Sequence, residues 1–169
     1  VLIALGVKID LSPERIACRC SLASAIFVAN VGGGSPVSII AAGTGIGSDF
    51  RRVGNPDINN AGLIAFGADP LFNAILPHQG DEGLFVTDGA TVQSIVPLFS
   101  NDIRFVSWPE INDDGAVAFF GEQDLNHGIF FAQGGSITTI GDIDGIFSYL
   151  PEPPFSFQPP SLNNSEQVA

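Results

Sequence analysis

Three short motifs recur in the same order about every fifty residues of this chain, and this repeat constrains the fold more than any other feature. Residues 56–66 read PDINNAGLIAF and residues 109–119 read PEINDDGAVAF. A third copy, PSLNNSEQVA, occupies 160–169, and a divergent copy, VKIDLSPERIAC, begins at residue 7. The copies start 49, 53 and 51 residues apart, so the chain is built from a tandem module.

Each module also carries two further apolar segments. The first reads AIFVAN at 25–30, GLFVTDG at 83–89 and GIFFAQGG at 128–135, and the second reads PVSIIAAG at 36–43, TVQSIVPL at 91–98 and SITTIGD at 136–142. Short apolar runs bounded by Gly, Pro, Asn and Asp are typical of strands, and these runs lack the period of an amphipathic helix. Four short strands in a repeat of this length predict one blade of a β-propeller.

The first motif of each module predicts a hairpin turn. In residues 59–62 and 112–115 an Asn stands three positions before a Gly, between two apolar runs. An Asn side chain accepts backbone N–H groups at the start of a type I turn, and Gly takes a positive φ without a Cβ clash, which gives a hairpin with a bulge at the Gly. Pro56, Pro109 and Pro160 each precede the Asn by three residues. Because proline cannot donate to a strand ladder, we expect it to mark the start of a strand.

The aromatic residues follow the module. Phe dominates, with 14 copies against one Trp and one Tyr. Five Phe residues recur at strand positions, which predicts that they pack the blades: Phe27, Phe66, Phe85, Phe119 and Phe130. Trp108 and the aromatic residues of the Pro-rich segment 146–160 are less regular, and they predict either core packing or an exposed contact surface.

We therefore expect an all-β, propeller-like chain of about three four-stranded antiparallel blades and the start of another. The blades are predicted at 7–55, 56–108 and 109–159, with the start of a fourth at 160–169. Residues 1–6 are either the last strand of a preceding blade or the beginning of the first strand here. Because closed propellers typically have about four to eight blades, we expect a fragment of a larger propeller. The alternatives are an open domain, a small ring closed by the chain ends, and a ring completed by self-association.

Two modules carry a recognisable family pattern. They fit N-x-x-G-x-x-A-F in full, with Asn59, Gly62, Ala65 and Phe66 in one copy and Asn112, Gly115, Ala118 and Phe119 in the other. The chain thereby resembles the NxxGxxAF tandem-repeat family, and its module is similar to the blade of TolB-type propellers, whose form residues 12–17 approach. The resemblance implies a secreted bacterial surface protein with a variable anchor, no assigned general activity, and motif residues with structural roles. It weakens at Asp10, Cys18 and Glu166, where we expect different turn chemistry.

Charge limits the choice of partner. The 169-residue chain has 18 acidic and 6 basic side chains, and this excess argues against nucleic acid, whose phosphates require a basic surface. Residues 1–52 carry five basic and three acidic side chains, whereas residues 53–169 carry one basic and fifteen acidic ones. Such a surface either keeps the exterior solvated or attracts divalent cations and basic partners. No stretch approaches the roughly 18 apolar residues of a membrane span.

Acidic turns provide the best candidate for a bound ion. Asp142 and Asp144 stand beside turn glycines in the segment GDIDG, and Asp113 and Asp114 precede Gly115. Carboxylates clustered in this way suit Ca²⁺, but the twelve-residue calcium loop is absent and Asp-Gly is common in ordinary turns. Calcium at Asp142 and Asp144 is the one cofactor predicted.

The other reactive residues predict structural roles. Cys18 and Cys20 are expected to be buried thiols, and the alternative is a disulfide to another part of a secreted chain. Their spacing along one strand suits neither a mutual disulfide nor zinc. His78 and His127 are expected in solvated loops. The Gly-rich segment 43–47 lacks the spacing and the following helix of a dinucleotide-binding loop.

Together these features predict a non-enzymatic secreted or cell-surface module that binds or scaffolds an extracellular protein or glycan. The alternative is a propeller enzyme, a hydrolase or lyase acting on an extracellular polymer, with an acidic and calcium-dependent site between blades. A third hypothesis, a structural spacer in a repeat array, fits the same features.

Overall fold

A computed structural model describes residues 2–6, 25–30, 37–41, 49–70, 83–97, 103, 105–123, 126–142 and 160–169. These residues form eleven β-strands: β1 (Leu2–Gly6), β2 (Ala25–Asn30), β3 (Val37–Ala41), β4 (Phe50–Ile58), β5 (Ile64–Pro70), β6 (Gly83–Thr87), β7 (Val92–Val96), β8 (Phe105–Ile111), β9 (Val117–Gln123), β10 (Asn126–Gln133) and β11 (Ser136–Asp142). The described part of the chain contains no helix, and therefore none long and apolar enough to cross a membrane. The prediction of an all-β chain is confirmed for these residues.

The strands form three antiparallel sheets. The first contains β1, β2 and β3, the second contains β4 to β7, and the third contains β8 to β11, each in chain order across the sheet. Two four-stranded antiparallel sheets are therefore present, as the repeat predicted. β1 pairs with β2 within the first sheet. The predicted boundaries at 56 and 109 fall inside β4 and β8, and the division into blades stays a prediction.

The central strands are almost continuously apolar because both of their faces are covered. Phe66 of β5 and Phe119 of β9 are fully buried. Phe66 stacks on Phe85 of β6 with ring centroids 5.7 Å apart, and Phe119 stacks on Phe130 of β10 at 5.5 Å. The two pairs occupy equivalent positions, so the repeat in sequence is a repeat in packing. Phe27 in β2 is only half-buried.

The second sheet lies between two apolar clusters. On one face Phe66, Phe50 and Val53 pack with Ile26 and Ile40 of the first sheet. The other face packs against the third sheet through Ala65, Leu84, Val96, Val106, Val117, Phe119 and Phe130. Burial of one such side chain is worth about 1.5–3 kcal/mol, so stacking of consecutive modules is a main source of stability.

Pro56 and Pro109 lie inside β4 and β8, so the prediction that they begin strands was wrong. Each falls in a β-bulge, and the residue before it, Asn55 or Trp108, has a positive φ of 49° or 48°. The register shifts between Gly54 and Asp57 in β4 and between Ser107 and Glu110 in β8. Because a bulge removes the proline from the regular ladder, its missing N–H costs no strand bond and the strand continues past it.

Candidate functional site: the stacked asparagine turns

Asn59 begins the turn that joins β4 to β5. The Gly62 N–H donates to the Asn59 carbonyl at 3.1 Å, and the Asn59 N–H donates to the Leu63 carbonyl at 3.1 Å. Gly62 has a φ of 86°. The Asn59 Oδ1 accepts the Leu63 N–H at 2.9 Å. This is the predicted type I turn with a left-handed residue at the glycine bulge.

The turn at Asn112 between β8 and β9 repeats this geometry. The Gly115 N–H donates to the Asn112 carbonyl at 3.1 Å, and Gly115 has a φ of 79°. The Asn112 Oδ1 accepts the backbone N–H groups of Asp114 at 3.1 Å and Ala116 at 2.9 Å. The Asn side chain thus replaces the backbone acceptors that a hairpin lacks at its turn.

The third turn, at 163–166, has the same conformation without a glycine. Glu166 has a φ of 59°, and its N–H donates to the Asn163 carbonyl at 3.1 Å. The Asn163 Oδ1 accepts the N–H groups of Ser165 at 2.9 Å and Gln167 at 3.0 Å. The expectation that Glu166 changes the turn chemistry was therefore wrong. The Asn contacts define the turn, and a non-glycine residue takes the left-handed conformation at a cost of roughly 1–2 kcal/mol.

The three turns are joined by a ladder of side-chain hydrogen bonds, which we call the asparagine ladder (Asn59, Asn112 and Asn163). The Asn59 Nδ2 donates to the Asn112 carbonyl at 2.8 Å, and the Asn112 Nδ2 donates to the Asn163 carbonyl at 3.4 Å. Asn59 and Asn112 are only 6% and 3% exposed. Since buried amides require partners, Asn59 and Asn112 are each satisfied by their own turn and by the next one, and the ladder fixes the register between modules.

An outer row of polar residues runs beside the ladder. The Asp113 carboxylate accepts the Asn60 N–H and the Asn60 Nδ2, both at 2.9 Å, and the Asn164 Nδ2 at 2.8 Å. The Asp113 N–H donates to the Asn164 Oδ1 at 2.9 Å. The hydrogen bonds from Asn60, followed by that from Asn164, lower the pKa of Asp113. This turn acid therefore acts as a bridge between three modules.

A second junction joins the first strands of consecutive sheets. The Asp57 Oδ2 of β4 accepts the Ile111 N–H of β8 at 2.7 Å, and the Asn55 Nδ2 lies 3.4 Å from the Ser107 Oγ. Glu110 precedes Ile111 and is half-buried. Burial, and then the charge of Asp57, raise the pKa of Glu110 to about 7. This module junction therefore contains a carboxyl group that keeps its proton close to neutral pH.

The predicted calcium residues are only partly described. Asp142 is half-buried at the end of β11, where it pairs with Gly128. Several predicted sites lie outside the described residues: Asp144, Asp10, Cys18, Cys20, His78 and the segment 43–47. Within the described ranges no group of three or more His, Cys, Asp or Glu side chains is arranged to hold a metal ion. Calcium at Asp142 and Asp144 stays a prediction.

His127 and Trp108 both lie against Phe120 of the third sheet. His127 lies in β10, where its Nε2 is 3.3 Å from the Glu122 Oε2, so the prediction of a solvated loop histidine was wrong. The rings of Trp108 and His127 lie 6.1 and 5.6 Å from the buried ring of Phe120. Alternation along β10 explains this, since His127 is on the same face as the apolar residues two and four positions further on.

The contacts between modules were not predicted from the sequence. One signal was available, because the position after each turn Asn is polar in three copies: Asn60, Asp113 and Asn164. A polar residue in these three copies favours a contact between copies over simple solvation.

Comparison with known proteins gives no match to a family model, to a curated protein or to a solved structure. The resemblance to the NxxGxxAF and TolB-type repeats therefore depends on the motif residues alone.

Proposed function

We propose that this chain is a non-enzymatic β-propeller repeat module of a secreted or cell-surface bacterial protein, in which the modules form a rigid scaffold and their loops bind an extracellular protein or glycan. The asparagine ladder is the observation that carries the proposal, because the same donor and acceptor atoms join both pairs of neighbouring turns.

The placement of the first strands supports the propeller architecture. β4 and β8 are the first strands of consecutive sheets, and they are joined by the Asp57–Ile111 and Asn55–Ser107 hydrogen bonds. Their turns lie at the same end of each sheet and stack on one another. In a propeller the first strand of each blade lies next to the central axis, so contacts between consecutive first strands are the expected ones.

The chemistry of the motif residues supports a scaffold rather than a reaction. The side chains of Asn59, Asn112 and Asp113 are each hydrogen-bonded to backbone or side-chain groups of neighbouring turns. Side chains held by such hydrogen bonds fix the geometry of the turns, so recognition of a partner is left to the loops. The acidic excess of residues 53–169 favours a basic protein surface or an uncharged glycan over an acidic partner.

One observation favours the enzyme as second candidate. Glu110 has a pKa raised to about 7 and lies near the Asp57 carboxylate, and glycoside hydrolysis uses a protonated carboxyl group together with a second carboxylate. In that case Glu110 would be the general acid, and calcium at Asp142 and Asp144 would be an accessory ion. The Asp57 Oδ2 already accepts the Ile111 N–H, which favours a positioning role for this residue.

Binding and turnover on the same probes separate the two candidates. The purified full chain is tested by biolayer interferometry against immobilised neutral and acidic polysaccharides and extracellular matrix proteins. Reducing-end release and formation of unsaturated products are assayed on the same polysaccharides. We expect binding to at least one probe, without product, and equal binding by Glu110→Gln. Product that disappears in Glu110→Gln would establish the enzyme instead, and no binding to any probe would leave the spacer role.

A further inference from the structure

The second sheet has one face towards the first sheet and one towards the third. In β6, Phe85 packs in the cluster shared with the first sheet, and Leu84 packs in the cluster shared with the third. The equivalent residues of β10 are Phe130 and Ile129. Because side chains alternate along a strand and Phe130 packs towards the second sheet, Ile129 and Phe131 lie on the opposite face of the third sheet. We call this the outer face.

The outer face is more open than the equivalent face of the second sheet. Leu84 is fully buried beneath the third sheet, whereas Ile129 is only half-buried. The described residues form two apolar clusters, and neither of them contains Ile129 or Phe131. The third sheet therefore presents apolar side chains on a face that these two clusters do not cover.

A bulge isoleucine in the last strand of each sheet shows the same difference. Ile39, Ile95 and Ile140 are each passed over in the pairing with the preceding strand. Ile95 packs against the cluster shared by the second and third sheets and is half-buried. Ile140, its equivalent, is 42% exposed. The position that contacts the following sheet in the second module is thus open to solvent in the third.

The start of a following module is already seated beside this face. The Asn112 Nδ2 donates to the Asn163 carbonyl, as the Asn59 Nδ2 donates to the Asn112 carbonyl one module earlier. The hairpin 160–169 therefore stands to the third module as the Asn112 turn stands to the second. In that earlier pair, the strands that follow the turn form the sheet that buries Leu84 and packs against Ile95.

We propose that the outer face of the third sheet is the docking face for a fourth module of this repeat, which begins with the hairpin 160–169. The inference rests on the proposed propeller function and names the partner of this face. The partner is a sheet that presents an aromatic face, because Leu84 and Ile95 share their cluster with Phe119 and Phe130. A second copy fits less well, since its own turn would compete with the hairpin for the place beside the Asn112 turn.

Thiol labelling of Ile140→Cys tests the proposal in the full chain with and without a completed fourth module. The module is completed by adding a copy of residues 119–159 after Ala169, or of residues 66–108 in a second version, so that each joins in repeat register. Peptide mass spectrometry follows labelling at residue 140 separately from Cys18 and Cys20. Because docking buries this side chain, either extension should slow its labelling about tenfold or more.

The matched control is Ile137→Cys, in the same strand and 41% exposed. It pairs with Ala132, whose side chain packs towards the second sheet, so it lies on the face away from the proposed partner. Its labelling rate should stay within about twofold in all chains.

Three outcomes would overturn the docking face. The first is an unchanged rate at residue 140 with both extensions, and the second is equal protection of residues 137 and 140. The third is protection in the chain without an extension that grows with protein concentration, which would assign the face to a second copy. The binding and turnover assays of the proposed function use the chain without an extension, so their failure is separate from failure here.

Discussion

The first two asparagine turns and the third have the same backbone conformation but different residues at its most restricted position. Gly62 and Gly115 take φ values of 86° and 79°, and Glu166 takes 59°. The side chains of Asn112 and Asn163 each accept two backbone N–H groups, and the side chain of Asn59 accepts the Leu63 N–H at the end of its turn. The comparison shows that the Asn determines the turn, whereas the Gly only lowers its conformational cost.

The surroundings of the Asn also differ between these turns. Asn112 is 3% exposed and donates to the Asn163 carbonyl of the next turn. Asn163 is exposed, and its Nδ2 donates to the Gln167 Oε1 of its own turn at 2.8 Å. The same residue is therefore a buried link in one copy and a local surface contact in another, so its contribution to stability should differ between copies.

Replacement of the Asn should have the largest effect. Asn112→Ala leaves the N–H groups of Asp114 and Ala116 without their acceptor and should lower the free energy of unfolding by about 2–3 kcal/mol. Asn163→Ala should cost less than about 1 kcal/mol, because water reaches the exposed turn. Urea unfolding, followed by the fluorescence of the single Trp, measures both. Equal losses would contradict the difference between the buried and exposed copies.

Replacement at the left-handed position should have a smaller effect, and Ala should be less stable than Gly in both kinds of turn. Gly115→Ala should destabilise by about 1 kcal/mol through its φ alone, since a Cβ there meets only the Leu63 Cδ1 at 3.8 Å. Glu166→Gly relieves the backbone but loses the Gln133 contact at 2.6 Å. Glu166→Ala loses that contact and keeps the strain, so the Gly variant should be the more stable of the two by about 1 kcal/mol. Thermal unfolding measures this, and equal midpoints would contradict a strained Glu166.

The residue that follows the motif proline is Glu110 in the copy at 109–119 and Ser161 in the copy at 160–169. Because only Glu110 can titrate, the stability of these two copies should depend differently on pH. The raised pKa of Glu110, about 7 against 4.5, means that the folded state favours the protonated form. Its contribution to stability is complete below about pH 4.5 and is lost as the pH rises through 7. Glu110→Gln should therefore match the wild type at low pH and unfold at a higher temperature above neutrality. Since Glu110 is partly exposed, the gain should be about 1 kcal/mol or less.

The opposite pH dependence is expected at the exposed bridge of Asp113, with the smallest effect. Its pKa is lowered by hydrogen bonds from Asn60 and Asn164, so its contribution is present above the ordinary value of 3.8 and is lost as the pH falls below it. Asp113→Asn should reduce the acid sensitivity of the unfolding midpoint. Asp114→Asn, in the same turn, is the control. An Asp113→Asn variant with the acid profile of the wild type would show that the bridge does not hold the turns together.

Much of the local structure could be predicted from the sequence. The type I turn at Asn59–Gly62 depends on contacts within four residues. The strands β5 and β9 are recognisable in the sequence as short runs of mostly apolar residues. Pro56 and Pro109 were predicted to begin strands, but they lie in bulges. A proline is compatible with a strand start and with a bulge, and only the pairing of β4 with β5 and of β8 with β9 distinguishes the two. His127 was predicted in a loop but lies in β10, where it pairs with Glu122 of β9, because the length of a strand is set by its partner strand.

The sequence by itself determined the repeat, the β-strands of the described residues and the turns at Asn59, Asn112 and Asn163, because these depend on residues that are close along the chain. Tertiary structure decided which groups meet across modules. The Asn59 amide reaches the Asn112 carbonyl 53 residues away, the Asp57 carboxylate reaches the Ile111 N–H, and β11 is left at the edge of its sheet. These contacts depend on how consecutive sheets stack, and stacking is set by the summed packing of two apolar faces rather than by any local pattern.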